Sequence, residues 1–413
     1  MNQPFPSRLP LDQAPWGLLE GFKPNDAFFS SPATILLGHG IAHERQTLDA
    51  RSQTLDDAAT ELFRIARQQG HPDPVIMGLI PFNHADRARL FVPRALLRGA
   101  PGTFEQCPAS APLETRALIT PEPAPEHYRR AVDSALALFE TTALDKVVLA
   151  RSLRAHTQAP VDAQALLKRL LSINPQGYNF ALPTGESDSL VGASPELLIR
   201  REGNRVIANP LAGSIPRHPD PQEDQRRAEG LYVSDKDLRE HALVVEAIVA
   251  ALRPLCRTLD VPEGPEVIST DRLWHLSTTL EGELADPAMT SLGVAAALHP
   301  TPAVCGAPWQ DAHRAIESLE GFERGYFTGL VGWCDETGDG EWAIAIRCAE
   351  LAPDHVRVFA GAGVVPGSTP QGELEETAAK MRTMLDAMGL DYEDSALPGA
   401  QADSACEPTN TTA

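Results

Sequence analysis

Apolar and polar positions along the chain resolve into short runs and longer periodic stretches. ATILLGHG (33–40), PVIMGLIPF (74–82), DKVVLARSL (145–153), GYFTGLVGW (325–333), EWAIAIRCAEL (341–351) and HVRVFAGAGVV (355–365) are short, largely apolar and bounded by turn residues, which predicts strands. Helical spacing predicts helices at about 55–69, 126–141, 162–172, 222–254, 309–320 and 373–389. Connections as short as 351–355 favour antiparallel hairpins, so the pattern reads as α+β and not as alternating βαβ units. Residues 391–413 are polar, small and proline-containing, and are expected to form a disordered tail.

Length changes the picture little: 413 residues can bury a large core, and size alone suggests two or three domains. Charge changes it more. A formal net charge of -21 argues against a nucleic-acid surface, which needs Lys and Arg to displace counterions. An anionic small molecule remains compatible if a few buried cations or a metal hold it. The six cysteines, at 107, 256, 305, 334, 348 and 406, form no C-x-x-C pair, which fits free thiols in a reducing compartment. No signal peptide and no bilayer-length apolar run is visible, so a cytoplasmic protein with no membrane or nucleic-acid partner is expected.

Chemistry concentrates in the second half. In GELEETAAKMRTML (372–385), Glu373, Glu376 and Lys380 share one helical face, where two carboxylates can hold a hard divalent cation and the lysine an anion beside it. In SDKDLREHALVVEAIVAAL (234–252), Asp237 and Glu240 have the same i,i+3 spacing at the start of a helix apolar nearly all round. A solvated face would explain the first set, and complementing the helix dipole would explain Asp237 better than Glu240. Two such pairs together point to a facing magnesium site.

Lys146 shares a strand face with Val148, Ala150 and Ser152, a setting that can lower an amine pKa and make it a general base. A lysine snorkelling to water from a strand end is the plainer reading. Glu196, after a proline in GASPELLIRR, is either an acid of raised pKa or a surface glutamate. Arg347 ends a face of small residues, Ala343 and Ala345, leaving room for a planar anion, or else forms an ion pair. Gly213 and Ser214 in PLAGSIPR offer backbone amides to a carboxylate, or simply make a turn. His275 and His241 read first as packed core histidines.

Together DKVVLARS, GASPELL, PLAGSIPR, SDKDLREHALVV, RLWHL, LHPTPAVCG, AIRCAEL, AGAGVVPGSTP and GELEETAAK resemble the chorismate-utilising enzymes, which include isochorismate, salicylate, anthranilate and aminodeoxychorismate synthases. The resemblance covers roughly 30–390. It implies an N-terminal segment (1–30), one catalytic domain (31–390) of two facing antiparallel sheets flanked by helices with the active site between them, and a tail (391–413). It assigns Lys146 as the base that activates water for attack on C2 of chorismate, and Glu196 as the acid that protonates the departing C4 hydroxyl. Glu240 and Glu376 match ligands of Mg2+, and Asp237 and Glu373 the outer pair that holds its waters. Arg347, Lys380, Gly213 and Ser214 would hold carboxylates, His275 would lie near the ring carboxylate, and Gly361, in AGAGVVPGSTP, falls among the substrate-binding positions.

LHPTPAVCGAP (298–308) resembles the isochorismate synthase loop and lacks the P-x-G-T-x-S-G-A-P run of the ammonia-using members, so no glutaminase partner is expected. Cys305 in it reads as a packed thiol, because the implied chemistry forms no covalent intermediate. Ala303 and Phe327 resemble the isochorismate-releasing type. The expected activity is a Mg2+-dependent isochorismate synthase, monomeric, with siderophore supply preferred. Salicylate synthase, which goes on to eliminate pyruvate, is the alternative, followed by a non-catalytic chorismate-binding subunit. Phosphoryl transfer finds no G-x-x-x-x-G-K-[ST] loop.

Overall fold

The computed structural model describes residues 15–47, 52–99, 113, 115–270, 272–392 and 394. Every strand pairing among them is antiparallel. One ladder runs Ala88–Gly99, Val75–Ile80, Leu330–Asp335, Gly340–Ile344, Leu197–Glu202, Arg205–Asn209, Leu280–Leu284, Cys256–Asp260. A second runs Ile35–Thr47, Ala27–Ser30, Tyr178–Pro183, Ser189–Ser194, Cys348–Leu351, His355–Val364, Lys146–Thr157, Ala117–Glu122. Ile35–Thr47 also pairs with Ala88–Gly99, joining the two ladders at one edge.

Side-chain alternation shows that these ladders face each other. In the first, Met77, Val331, Trp333 and Ala343 point into a core built mostly of strand residues, while Ile76, Leu330, Trp342 and Ile344 point to the opposite side. In the second, Phe29, Phe180, Leu190 and Phe359 join the same core, and Phe28, Ala181, Val191 and Val358 turn away from it. A strand places successive side chains on opposite faces, so each ladder has an inner side toward its partner and an outer side toward helices. Ser52–Gln68, Asp235–Leu252 and Ser291–Leu298 cover the first outer side, and Ala163–Ile173 and Pro370–Met388 the second.

Three predicted elements need correction. The stretch 222–254 is two helices, Pro221–Leu231 and Asp235–Leu252, because the Ser234 hydroxyl accepts from Asp237 N and caps a new helix. The stretch 341–351 is two strands, Gly340–Ile344 and Cys348–Leu351, broken where Arg347 adopts φ +49°. The strand expected at 325–333 begins only at Leu330. The run leading into 298 reads as helix-like from the sequence and is helix Ser291–Leu298, buried nearly all round and so without an amphipathic face. The hairpin at 351–355 is present, with Glu350 opposite Arg357. Residues 1–14 and most of the expected tail lie outside the described residues; Ala27–Ser30, placed in the N-terminal segment, is a strand of the second ladder, Tyr392 packs against the second outer core, and Asp394 pairs with the buried Arg151.

A small separate sheet sets Leu273–Ser277 between Leu211–Pro216 and Glu266–Ser269. The last fixed point is a buried ion pair. Arg324 and Glu320 are almost wholly enclosed and joined by Nε to Oε2 at 2.8 Å. Arg324 also donates to the carbonyls of Val148 and Val304 and to Thr328 Oγ1, and Glu320 accepts from Ala150 N at 2.7 Å. Strand 146–157 and the segments around 304 and 328 are thereby clamped to one guanidinium.

Replacing one partner of such a pair leaves the other charge buried and unanswered. Arg324→Ala is expected to lower the unfolding free energy by about 3–5 kcal/mol, measured by urea denaturation against the parent protein.

Candidate active site

A cavity opens between strands 146–157 and 355–364, the small sheet, and the two helices that carry the acidic pairs. Eleven of the residues singled out from the sequence line it: Glu196, Gly213, Ser214, Glu240, His275, Ala303, Phe327, Arg347, Gly361, Glu376 and Lys380. Lys146, Asp237 and Glu373 stand directly behind this lining, each joined by charge or contact to a residue of the site.

Lys146 is wholly enclosed, with its Nζ 2.9 Å from Glu240 Oε1 in an ion pair whose angles fall short of a hydrogen bond. It does not snorkel to water. Two glycines make room for it. Gly306 crosses so close that a Cβ there would meet the Lys146 carbonyl oxygen at 2.2 Å, and a Cβ on Gly363 would meet Glu240 Oε1 at the same distance. Glu196 sits in the connection between strands Ser189–Ser194 and Leu197–Glu202 and is only 3% exposed, which removes the surface reading. Burial pushes its carboxyl up to about 7, against the pull of Leu211 N and of the Lys146, Arg347 and Lys380 charges. The site thus holds a buried amine and, in Glu196, a carboxylic acid suited to releasing a proton near neutrality.

The two acidic helices do face each other. Lys236 on the first donates to Glu373 on the second at 3.1 Å, and Glu376 accepts from Ser214 at 3.3 Å and pairs with Lys380 at 2.6 Å. Asp237 is held by the Ser234 hydroxyl. Burial raises Asp237 and Glu373, and the carboxylates around them, Glu240 and Glu376 for the one and Glu376 for the other, push them further. At Glu376 burial acts upward, but Lys380, Lys236 and Ser214 outweigh it and hold the carboxyl below its usual range. Among the described residues no three such side chains stand at coordination distance, because Glu240 and Glu376 are drawn to lysines. The donor set still fits a hard divalent ion: four carboxylates from two facing helices, with Glu373 Oε2 buried and without a hydrogen bond.

Cationic groups stand beside these acids. Arg347 is buried, its positive φ ends the strand beside it, and burial lowers its guanidinium to about 10. Lys380 also donates to the Gly361 carbonyl at 3.0 Å. Burial, then Arg347 and Lys380, drives the His275 pKa well down, leaving a neutral imidazole whose Nε2 is buried and unpartnered. Its strand partner Ser214 follows a bulge at Gly213, φ +77°, where a Cβ would lie 3.0 Å from that of Asp237. His241 is the packed histidine expected, bonded to Thr278 Oγ1 and the Ala212 carbonyl.

The 298–308 segment lines the cavity with Ala303 and Val304 and joins the Lys146 strand through Val148 N to the Cys305 carbonyl, 2.8 Å. Cys305 is buried, its thiol pushed up to about 12, so it is no nucleophile. Phe327 stacks on Phe359 at 5.0 Å and 12°. Sequence reading missed Phe359, Val148, Thr328, Ile346 and Gly363 as lining. Only Gly363 carried a local signal, in the small-residue run AGAGVV; the others are ordinary strand and turn residues brought in by pairing.

A family model described as chorismate binding enzyme matches residues 96–389. Isochorismate synthase DhbC of Bacillus subtilis (strain 168) is 47% identical over 383 residues, 91% of this chain and 96% of that protein. The vibriobactin-specific isochorismate synthase of Vibrio cholerae is 44% identical over 367 residues, 89% of this chain and 92% of that one. A crystal structure from Bacillus anthracis, assigned provisionally as 2,3-dihydroxybenzoate-specific isochorismate synthase DhbC, has a TM-score of 0.86 and 44% identity, covering 91% of this chain and 100% of that one.

A methyl group at 363 would push the Glu240 carboxylate away from Lys146 and leave that buried ammonium unanswered. Gly363→Ala is therefore expected to lower turnover at least about tenfold and to lower the unfolding free energy by about 3–5 kcal/mol. Steady-state kinetics and thermal melts on one preparation check both.

Proposed function

The chain belongs to the chorismate-binding enzyme family, and we propose that it works there as an isochorismate synthase. Water adds at C2 of chorismate, the ring double bond shifts, and the C4 hydroxyl leaves as water. Lys146, acting in its uncharged form, takes a proton from the incoming water, and Glu196 gives one to the departing hydroxyl, so the reaction is a net isomerisation. The observation that carries this reading is a wholly buried amine and a carboxyl raised to about 7 serving one cavity, in a chain 44–47% identical to isochorismate synthases over most of its length.

Arg347 and Lys380 bind the carboxylates of the dianion, the Gly213–Ser214 bulge offers amides to it, and neutral His275 supplies a hydrogen bond without adding charge. Gly361 lets strand 355–364 pass close by and fixes Lys380 through its carbonyl. Phe327, on Phe359, and Ala303 shape the end where displaced groups lie. Glu240 and Glu376 would hold Mg2+, with Asp237 and Glu373 reaching it through water. When bound, the ion would anchor the ring carboxylate and offset repulsion between the dianion and the protein carboxylates.

The relatives' names support a role in supplying 2,3-dihydroxybenzoate or a related siderophore precursor. Free Cys256, Cys305, Cys334 and Cys348 are in keeping with a reducing, cytoplasmic setting. No helix among the described residues is long and apolar enough to cross a membrane.

Incubation with chorismate, with and without Mg2+, is expected to yield isochorismate only with the ion, and without stoichiometric pyruvate. Salicylate with matching pyruvate would make the protein a salicylate synthase instead. Lys146→Ala is expected to lower kcat by about 10²–10⁴-fold. Wild-type turnover in that variant would overturn the base assignment.

Glu196 must hold its proton to act as the acid. Burial raises its pKa, so the proton is kept below about pH 7 and lost above it. A kcat/KM that falls about tenfold per pH unit on the alkaline side is expected, and a flat profile through pH 8 would remove the assignment.

A further inference from the structure

The acidic helices carry a lysine that the reaction does not use. Four carboxylates, Asp237, Glu240, Glu373 and Glu376, meet three ammonium groups, those of Lys146, Lys236 and Lys380. Two of these are committed. Lys146 is fully enclosed against Glu240, and Lys380 bridges Glu376 and the Gly361 carbonyl. Lys236 differs: its side chain is 37% exposed and makes one hydrogen bond, to Glu373 Oε1, an acid only 2% exposed.

Glu373 is the one buried member of the quartet. Its Oε2 is buried and makes no hydrogen bond, with the Ser368 hydroxyl as a polar neighbour. Lys236 precedes Asp237 and lies one turn from Glu240, so its ammonium sits at the meeting of both acidic pairs. The charges of Glu373, Glu376 and Glu240 all reach it. A long, flexible stem lets that ammonium leave for water without moving the helix.

We propose that Lys236 is a built-in competitor of the divalent cation, an ammonium that occupies Glu373 and is displaced to solvent when Mg2+ binds. This rests on reading the quartet as the Mg2+ site. Without such a cation, four carboxylates on facing helices would repel one another and burial would favour their protonation. With it the site keeps its shape, at the cost of weaker divalent binding. Lys236 is therefore a positioning residue that sets ion affinity and takes no part in proton transfer.

The test is Mg2+ binding itself, by calorimetry and by the rise in melting temperature with added MgCl2, in the full-length parent, Lys236→Gln, Lys236→Arg and Lys168→Gln. Lys168 pairs with Glu20 on another helix and controls for net charge. Removing one ammonium from the ion's surroundings should tighten Mg2+ binding about tenfold. Lys236→Gln should thus melt lower than the parent without Mg2+ and gain more from it, while Lys236→Arg and Lys168→Gln stay near the parent. Unchanged or weaker Mg2+ binding in Lys236→Gln overturns the proposal and makes the lysine a structural tie. Equal tightening in Lys168→Gln also overturns it, since the effect would be one of net charge. If the parent binds no Mg2+ and turns chorismate over without it, the metal reading falls and this inference with it; an intact metal response with no change at 236 defeats the competitor role alone.

Discussion

An ammonium group enclosed by protein must be answered by an anion at ion-pair distance, and the architecture around Lys146 follows from that demand. Glu240 supplies the answer at 2.9 Å from helix Asp235–Leu252. For the two to meet, strand 355–364 has to pass without a side chain at Gly363, and the 298–308 segment has to cross the lysine's backbone at Gly306. Loss of either partner would leave a bare buried charge, far costlier than any exposed pair in the molecule.

A second buried pair holds this geometry from behind. Glu320 and Arg324 bind the backbone of Val148 and Ala150, the carbonyl of Val304 and the hydroxyl of Thr328, so one planar guanidinium sets the spacing of three cavity walls. Its fork geometry suits several fixed acceptors at once, as a lysine would not. Phe327 follows directly and is stacked on Phe359. The walls of the cavity are thus set in part by Glu320 and Arg324, which do not line it themselves.

The same logic reconciles a chain of net charge -21 with an anionic substrate. Overall charge governs long-range approach, which salt screens within about 8–10 Å. Arg347 and Lys380 line the cavity, away from that screening, and Lys146 and Lys236 balance the acidic residues they pair with. Neighbouring groups set by burial are held in different states: Glu196 keeps its proton to about pH 7, while His275 stays neutral well below its usual pKa.

Much of this was legible in the order of residues alone. Alternation marks strands because one face of each is buried, and i,i+3 spacing put Glu373 with Glu376 and Asp237 with Glu240 on common faces, so the α+β class and most of the chemical residues could be named without coordinates. Motif resemblance then supplied roles that local chemistry left open for Lys146, Glu196 and Arg347. What sequence could not show was partnership. Lys146 with Glu240, Lys236 with Glu373 and Arg324 with the Val148 carbonyl join residues 94, 137 and 176 positions apart. No periodicity encodes such distances, because they depend on how two sheets stack and where helices land. Burial was hidden for the same reason. Glu196 reads as a surface glutamate until the small sheet and the Arg347 turn close over it, and only that enclosure turns an ordinary carboxylate into an acid that works near neutral pH.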